Sequence, residues 1–346
     1  MPRYAILPAP SANRVYAAAA MDLAAAELAF VDRYSLGGRL GRLGIDTFGG
    51  VRYLTVEAAD PLGEDDLVAV GALSSTYAVF EIETAGRLRP IRGGGARDRW
   101  DEDLITIPRY AGRTNDQFTA LLLDVAVACT RSGKDARRLR VLDPLCGRGT
   151  TINQAVMWGY DAAGVDLDGR DVEAWATFFT TWLQDKRLKH AVERRRLRQS
   201  KAIGAGVRIE VSMWADKEAQ RAGDGQQIVM VADDTAACVE HFGARSVDII
   251  AGDLPYGVAH GSRSGGRLAR RPDQLVADAL PVWREVLRPG GSLVLAWNVR
   301  TMAPERMAEA VTAAGLEAVE LPEGHSFSHR VDRTITRDLV IARRPT

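Results

Sequence analysis

Beyond residue 139 the sequence repeats one pattern, in which a short apolar run ends in an acidic or Gly-rich turn and a longer helical stretch follows. The runs are "RVLDPL", "DAAGVDLD", "QQIVMVADD", "VDIIAGDLPYG", "GSLVLAWN" and a final "RDLVIARR". Strands that alternate with helices are joined by right-handed crossovers, so the pattern predicts an α/β unit with a mostly parallel, doubly wound sheet. Residues 4–85 read differently. "YAIL" is a predicted strand, "RVYAAAAMDLAAAELAFVDR" a helix, and "GVRYLTVEA" and "TYAVFEIE" two more strands, which together make a small α+β unit. Between the two units, "RLRPIRGGGARDRWDED" is charged and Gly-rich without apolar periodicity. It reads as a linker over residues 86–103 and divides the chain into a small N-terminal domain, 1–100, and a larger domain, 101–346.

A length of 346 residues suits two domains. Lys plus Arg, 45, equals Asp plus Glu, 45, so a nucleic-acid partner has to be met by a local basic patch rather than a global field. Cys129, Cys146 and Cys238 are far apart, which excludes a disulfide framework and a Cys-based metal site and fits a reducing cytoplasm. The Ala-rich start is interrupted by Pro8, Pro10, Asp22 and Glu27, so neither a signal peptide nor a membrane span is expected there.

The first predicted strand of the large unit runs into "VLDPLCGRGTT". In an open α/β sheet a ligand binds at the carboxyl ends of the strands, and a Gly-rich first turn lets it approach the backbone. Gly147 and Gly149 fit that role, with Cys146 and Thr150 in the same turn. A dinucleotide fingerprint needs a third glycine at position 152, where Ile152 stands, and Asp143 at the strand end would repel a pyrophosphate. A carboxylate suits an ammonium. S-adenosylmethionine carries an amino-acid ammonium and an adenosine, and Asp166, ending the next strand, is placed to take its ribose hydroxyls. Asp233 or Asp234, after the third strand, either accepts from the adenine amino group or caps a helix. Thr114, Asn115 and Phe118, at the start of the preceding amphipathic helix, either reach the methionine carboxylate or serve as a cap.

The fourth strand ends in "GDLPYG". Pro255 has no N–H and fixes φ, which leaves the Leu254 carbonyl free to accept beside the Asp253 carboxylate, and Tyr256 adds an aromatic face. Two acceptors and a ring form a cradle for a planar amino group, whose positioning toward a sulfonium methyl supplies much of the rate of such a substitution. With this loop and the glycine turn in this order, residues 105–300 resemble the class I S-adenosylmethionine-dependent methyltransferases, and among them the THUMP-associated tRNA guanine methyltransferases that act on the 2-amino group. The resemblance implies a seven-stranded Rossmann-like sheet, with Asp143, Gly147, Gly149, Asp166 and Asp233 on the cofactor and Asp253, Leu254, Pro255 and Tyr256 on the target amine. Leu254 departs from the family, where many members have Pro, and the N-terminal unit is short and neutral for a THUMP domain.

Two basic tracts are candidate RNA contacts. "QDKRLKHAVERRRLRQSK" contains Arg194, Arg195 and Arg196 and is either a phosphate-binding stretch or a solvated helical face. "HGSRSGGRLARRPDQL" follows the catalytic loop and offers Arg263, Arg267 and Arg270. The C-terminal "FSHRVDRTITRDLVIARR" reads as hairpin-like closing strands, with His325 and His329 packed or exposed rather than catalytic. The sequence therefore predicts transfer of a methyl group to an exocyclic amine in RNA, most of all guanine in tRNA, without membrane or metal. DNA amino-methylation on a flipped base, protein glutamine methylation and non-catalytic RNA binding are the alternatives.

Overall fold

The computed structural model describes residues 1–11, 13–95, 97–132, 138–255 and 272–346. Strand β1 (Arg3–Pro8) leads into helix α1 (Arg14–Val31), whose start is fixed by the Asn13 side chain accepting from the backbone N–H groups of Val15 and Tyr16. Strands β2 (Leu40–Phe48) and β3 (Val51–Ala58), helix α2 (Glu64–Gly71), and strands β4 (Thr76–Ile82) and β5 (Leu88–Gly93) follow, and the five strands form one antiparallel sheet in the order β2-β3-β1-β4-β5. Strand β5 corrects the linker reading, because residues 88–93 are paired in the sheet rather than loose. It is an edge strand, and its charge is used across the ladder, with Arg89 opposite Glu81 and forming ion pairs with Glu81 and Glu83. Charged edges protect a sheet from further pairing and hide the strand from an apolar-pattern search.

The remainder of the chain builds α3 (Asp103–Thr106), α4 (Asp116–Cys129), β6 (Arg140–Asp143), α5 (Thr150–Met157), β7 (Asp161–Asp166), α6 (Gly169–Asp185), β8 (Lys189–Arg196), β9 (Val207–Trp214), α7 (Lys217–Ala222), β10 (Gln226–Ala232), α8 (Cys238–Phe242), β11 (Val247–Asp253), α9 (Pro272–Val286), β12 (Leu287–Asn298), α10 (Pro304–Ala313), β13 (Glu317–Ala318), β14 (His329–Arg330) and β15 (Thr336–Arg343). Among the described residues these strands form a ten-stranded sheet in the order β13-β15-β12-β11-β6-β7-β10-β9-β8, with β14 paired to β15. Strands β12, β11, β6, β7 and β10 are mutually parallel, as read from the sequence, and β15 lies antiparallel beside β12. With β13 they make the expected set of strands. Strands β8 and β9 extend it antiparallel beyond β10, so the basic tract is an edge strand and not a helical face.

Helix α4 is apolar on nearly every side because it is covered on every side. One continuous cluster of buried side chains joins Leu23, Leu28 and Phe30 of α1 to Leu121 and Val125 of α4, and on to Val294 and Ile341 of the large sheet. A second cluster covers the opposite sheet face with Val276, Leu280 and Trp283 of α9. The N-terminal unit also reaches the chain's far end: Phe30 lies 6.4 Å from Phe327, Tyr16 lies 6.3 Å from His329, and the Tyr34 hydroxyl donates to the Glu320 carbonyl. Among the described residues no helix is long and apolar enough to cross a membrane, and all three cysteines are buried thiols.

Candidate active site

The chain runs from β6 to β7 to β10 on one side and continues with β11 and β12 on the other, so the strand order reverses between β6 and β11. Ligands of open α/β sheets bind at such a switch point, outside the carboxyl ends of the strands. A cavity of about 660 Å³ opens there, and its walls include Tyr110, Arg113, Thr114, Asp143, Cys146, Gly147, Thr150, Asp253, Leu254, Pro255 and Arg337. The glycine turn and the Asp-Leu-Pro loop, more than a hundred residues apart, thus face one space.

The turn takes its shape from its glycines. Gly147 has φ +50° and an added Cβ would meet open space, whereas Gly149 has φ +76° and an added Cβ would lie 2.4 Å from the Trp175 ring. A side chain at Gly149 would therefore be strained twice, by conformation and by contact. Asp166 closes the turn onto the neighbouring strand end, with one carboxylate oxygen accepting from the Gly147 N–H at 2.7 Å and the other from the Asp168 N–H at 2.9 Å. Burial raises the Asp166 carboxyl above the usual range while those two donors oppose the shift. Asp143 is more deeply enclosed. Burial pushes its carboxyl up to about 7 against the Leu145 N–H and the Thr151 hydroxyl, and the charges of Asp166 and Asp253 add to the rise. The Cys146 thiol is likewise pushed well up by burial and by the Asp166 and Asp143 carboxylates, so it packs as a neutral wall rather than acting as a nucleophile.

Across the cavity, Asp253 ends β11. Its Oδ2 accepts from the Thr114 hydroxyl at 2.9 Å and from the Arg337 guanidinium at 3.1 Å. The Leu254 N–H donates to the Ala296 carbonyl, which anchors the loop to β12. Thr114, expected to reach a cofactor carboxylate or to cap the helix, lines the cavity and donates to the Asp253 carboxylate. Asn115 is the α4 cap, accepting from the Phe118 N–H at 3.0 Å. Phe118 is fully buried behind the cavity wall with the Arg337 guanidinium 4.3 Å from its ring centre, so it belongs to the packing and not to a ligand surface. Asp233 is also corrected. Its carboxylate turns inward to the N–H groups of Lys201 and Asp234 and to His241 Nε2 at 2.9 Å. Burial alone would raise its carboxyl, but these donors outweigh it and hold it below the usual range. Asp234 takes the alternative role of cap, accepting from the Ala236 N–H.

Arg194, Arg195 and Arg196 lie on β8, where successive side chains alternate faces, so the three cannot form one patch. Arg194 is paired with Glu173 of α6 at 2.6 Å. Tyr256, Arg263, Arg267 and Arg270 lie outside the described residues. His329 is buried, and burial lowers its imidazole below the usual range, in keeping with a packed residue.

Three wall residues escaped the sequence reading. Tyr110 places its hydroxyl 2.6 Å from the Thr150 hydroxyl, and the Arg148 guanidinium lies over its ring. Arg113 is almost enclosed; its guanidinium is paired with Asp116 and donates to the Ile105 carbonyl at 2.5 Å, while among the described residues its Nε has no hydrogen-bond partner. Arg337 is the third. Acidic strand ends for an ammonium, a tight glycine turn and a buried cationic donor fit the charge pattern of S-adenosylmethionine, which is positive at sulfur and nitrogen and negative at its carboxylate. Among the described residues no group of three or more His, Cys, Asp or Glu side chains is placed to hold a metal ion.

Comparison with known proteins follows the same lines. No curated protein matches the chain in sequence. Among solved structures the chain is similar to TrmN from Thermus thermophilus, with 14% identity, 99% of this chain and 100% of that chain covered and a TM-score of 0.42. It is also similar to a TehB-like SAM-dependent methyltransferase from Corynebacterium glutamicum ATCC 13032 Kitasato, with 17% identity, coverage of 61% and 83% and a TM-score of 0.34. A third is an rRNA methylase from Streptococcus thermophilus, with 10% identity, coverage of 60% and 88% and a TM-score of 0.32. The family model that describes the UPF0020, RMKL-like methyltransferase domain matches residues 112–330, which take in the glycine turn, most of the cavity wall and the Asp-Leu-Pro loop, and the chain belongs to that family of methyltransferases.

Proposed function

We propose that this methyltransferase acts on an exocyclic amino nitrogen of a nucleobase in RNA, with guanine in tRNA as its substrate in the cytoplasm. The observation that carries the reading is the convergence of Asp253, Leu254 and Pro255 with the Cys146 to Thr150 turn on one cavity. S-adenosylmethionine supplies the electrophilic methyl group. Asp143 and Asp166 take its ammonium and ribose, Gly147 and Gly149 let it approach the backbone, and Arg113 with Thr150 takes its carboxylate end. Asp253 and the Leu254 carbonyl accept from the target amine and aim its lone pair, and Tyr256 stacks on the base. As the nitrogen–carbon bond forms the carbon–sulfur bond breaks, S-adenosylhomocysteine leaves as a neutral thioether, and the nitrogen gives up one proton to solvent water to restore neutrality. Residues 101–346 carry this chemistry, and residues 1–100, with Arg195, Arg196, Arg263, Arg267 and Arg270, contribute to holding the RNA.

The test is incubation with methyl-labelled S-adenosylmethionine and separate pools of tRNA, rRNA, DNA and protein, followed by digestion of the labelled pool to nucleosides or amino acids. Label in 2-methylguanosine from tRNA is the expected result. Label in DNA or in glutamine would replace the substrate assignment, and binding of RNA without transfer would favour the non-catalytic alternative.

A further inference from the structure

The Asp253 carboxylate is held from two elements that meet only in the folded chain. Thr114 approaches from the segment before α4, and Arg337 approaches from β15, across the intervening strand β12. Both donate to the same oxygen, Oδ2. Arg337 is itself locked in place, since its side chain is only 7% exposed and its guanidinium lies 4.3 Å from the centre of the fully buried Phe118 ring. Phe118 in turn packs at 5.2 Å against the His329 ring. On β15, Arg337 stands opposite Asn298, two residues along from the Leu339–Ala296 pair, and Ala296 is the ladder partner of Asp253. The ladder therefore sets the distance from Arg337 to the carboxylate, and the buried Phe118 ring backs the guanidinium at 4.3 Å.

Buried ion pairs contribute little net stability, because desolvation offsets most of their attraction, so a pair kept at a cavity wall calls for another role. An arginine supplies what a lysine does not: a planar group that can stack on a ring and donate in a fixed direction. Resting on the functional reading above, we infer that Arg337 is a positioning residue of the transfer reaction. It fixes the rotamer of Asp253, so that the carboxylate meets the incoming amine without reorganising. Arg337 touches neither the methyl group nor the nitrogen; it acts through Asp253.

The inference is tested by single-turnover methyl transfer at saturating S-adenosylmethionine and RNA, with S-adenosylhomocysteine affinity measured by calorimetry and folding by thermal unfolding on the same preparations. Arg337→Met should lower the transfer rate by about 10²-fold, the usual cost of a misplaced catalytic group, with cofactor affinity close to wild type. Arg337→Lys should recover part of the loss by restoring the charge without the stacked plane. In an Asp253→Ala background, Arg337→Met should cost nothing further, because the group it positions is gone. If Arg337→Met does not fold, Arg337→Lys and Arg337→Gln in the two backgrounds carry the same comparison. A wild-type rate in Arg337→Met, or losses that multiply in the double variant, would overturn the inference while leaving the functional reading in place. A wild-type protein that methylates no nucleobase would overturn both.

Discussion

Asp143 shows how far a single side chain can be read before the fold is known. Its place at a strand end before a glycine turn was visible in the sequence; its burial was not, because three carboxylates from β6, β7 and β11 are brought together only by the strand order. Its carboxyl is raised to about 7 by burial, so between about pH 4 and pH 7 the native state binds more protons than the unfolded state. The stability this group contributes is complete below about pH 4 and is lost as the pH rises through about 7. Thermal unfolding of the ligand-free protein should therefore show a midpoint that falls from pH 5.5 to pH 8 (an interval of about 2.5 units around that value) more steeply in wild type than in Asp143→Asn. Equal slopes would show that another group governs the trend, and Glu27, which burial also raises to about 7, would be the first to examine. The same comparison explains the misses at Asp233 and Phe118. Aspartate after a strand and phenylalanine at a helix start look alike in sequence whether they face a ligand or the interior, and only the donors around them decide.

Strand β8 illustrates the same limit over eight residues. "KHAVERRR" carries one apolar β-branched residue, and an edge strand needs no more, since one side of it faces solvent. Pattern recognition finds the buried strands β10, β11 and β12 easily and passes over such an edge. Its ion pair with α6 has a consequence for RNA binding. Arg194→Ala should leave the salt dependence of RNA affinity unchanged, because Glu173 already neutralises that guanidinium. Arg195→Ala and Arg196→Ala should each reduce the log–log slope by about 0.7 to 0.9, one phosphate contact apiece. Fluorescence anisotropy titrations over a salt series decide it, and equal changes at Arg194 and Arg195 would show that the Glu173 pair does not neutralise Arg194.

The division into an N-terminal α+β unit and a doubly wound unit was legible because hydrophobic periodicity is local. The packing between the two was not, since α1 carries the same apolar residues whether it covers its own sheet or a neighbour. In the fold it covers both, and its cluster continues through α4 into β12 and β15. The full chain is therefore expected to unfold in one calorimetric transition, and residues 101–346 alone should aggregate or melt well below it. Each Leu or Phe uncovered on α4 forfeits about 2 kcal/mol. Two separate transitions, or a fragment with an unchanged melting temperature, would show the units to be independent. The contact between Tyr34 and Glu320 spans 286 residues. At a synthesis rate of 5 to 20 residues per second, that separation is roughly a quarter of a minute to a minute of waiting on the ribosome. During that interval α1 has emerged, but the segment around Phe327 and His329 that will cover Tyr16 and Phe30 has not. The first helix to be made is among the last to be fully sheltered, so the nascent chain is most open to chaperones or to aggregation at its beginning.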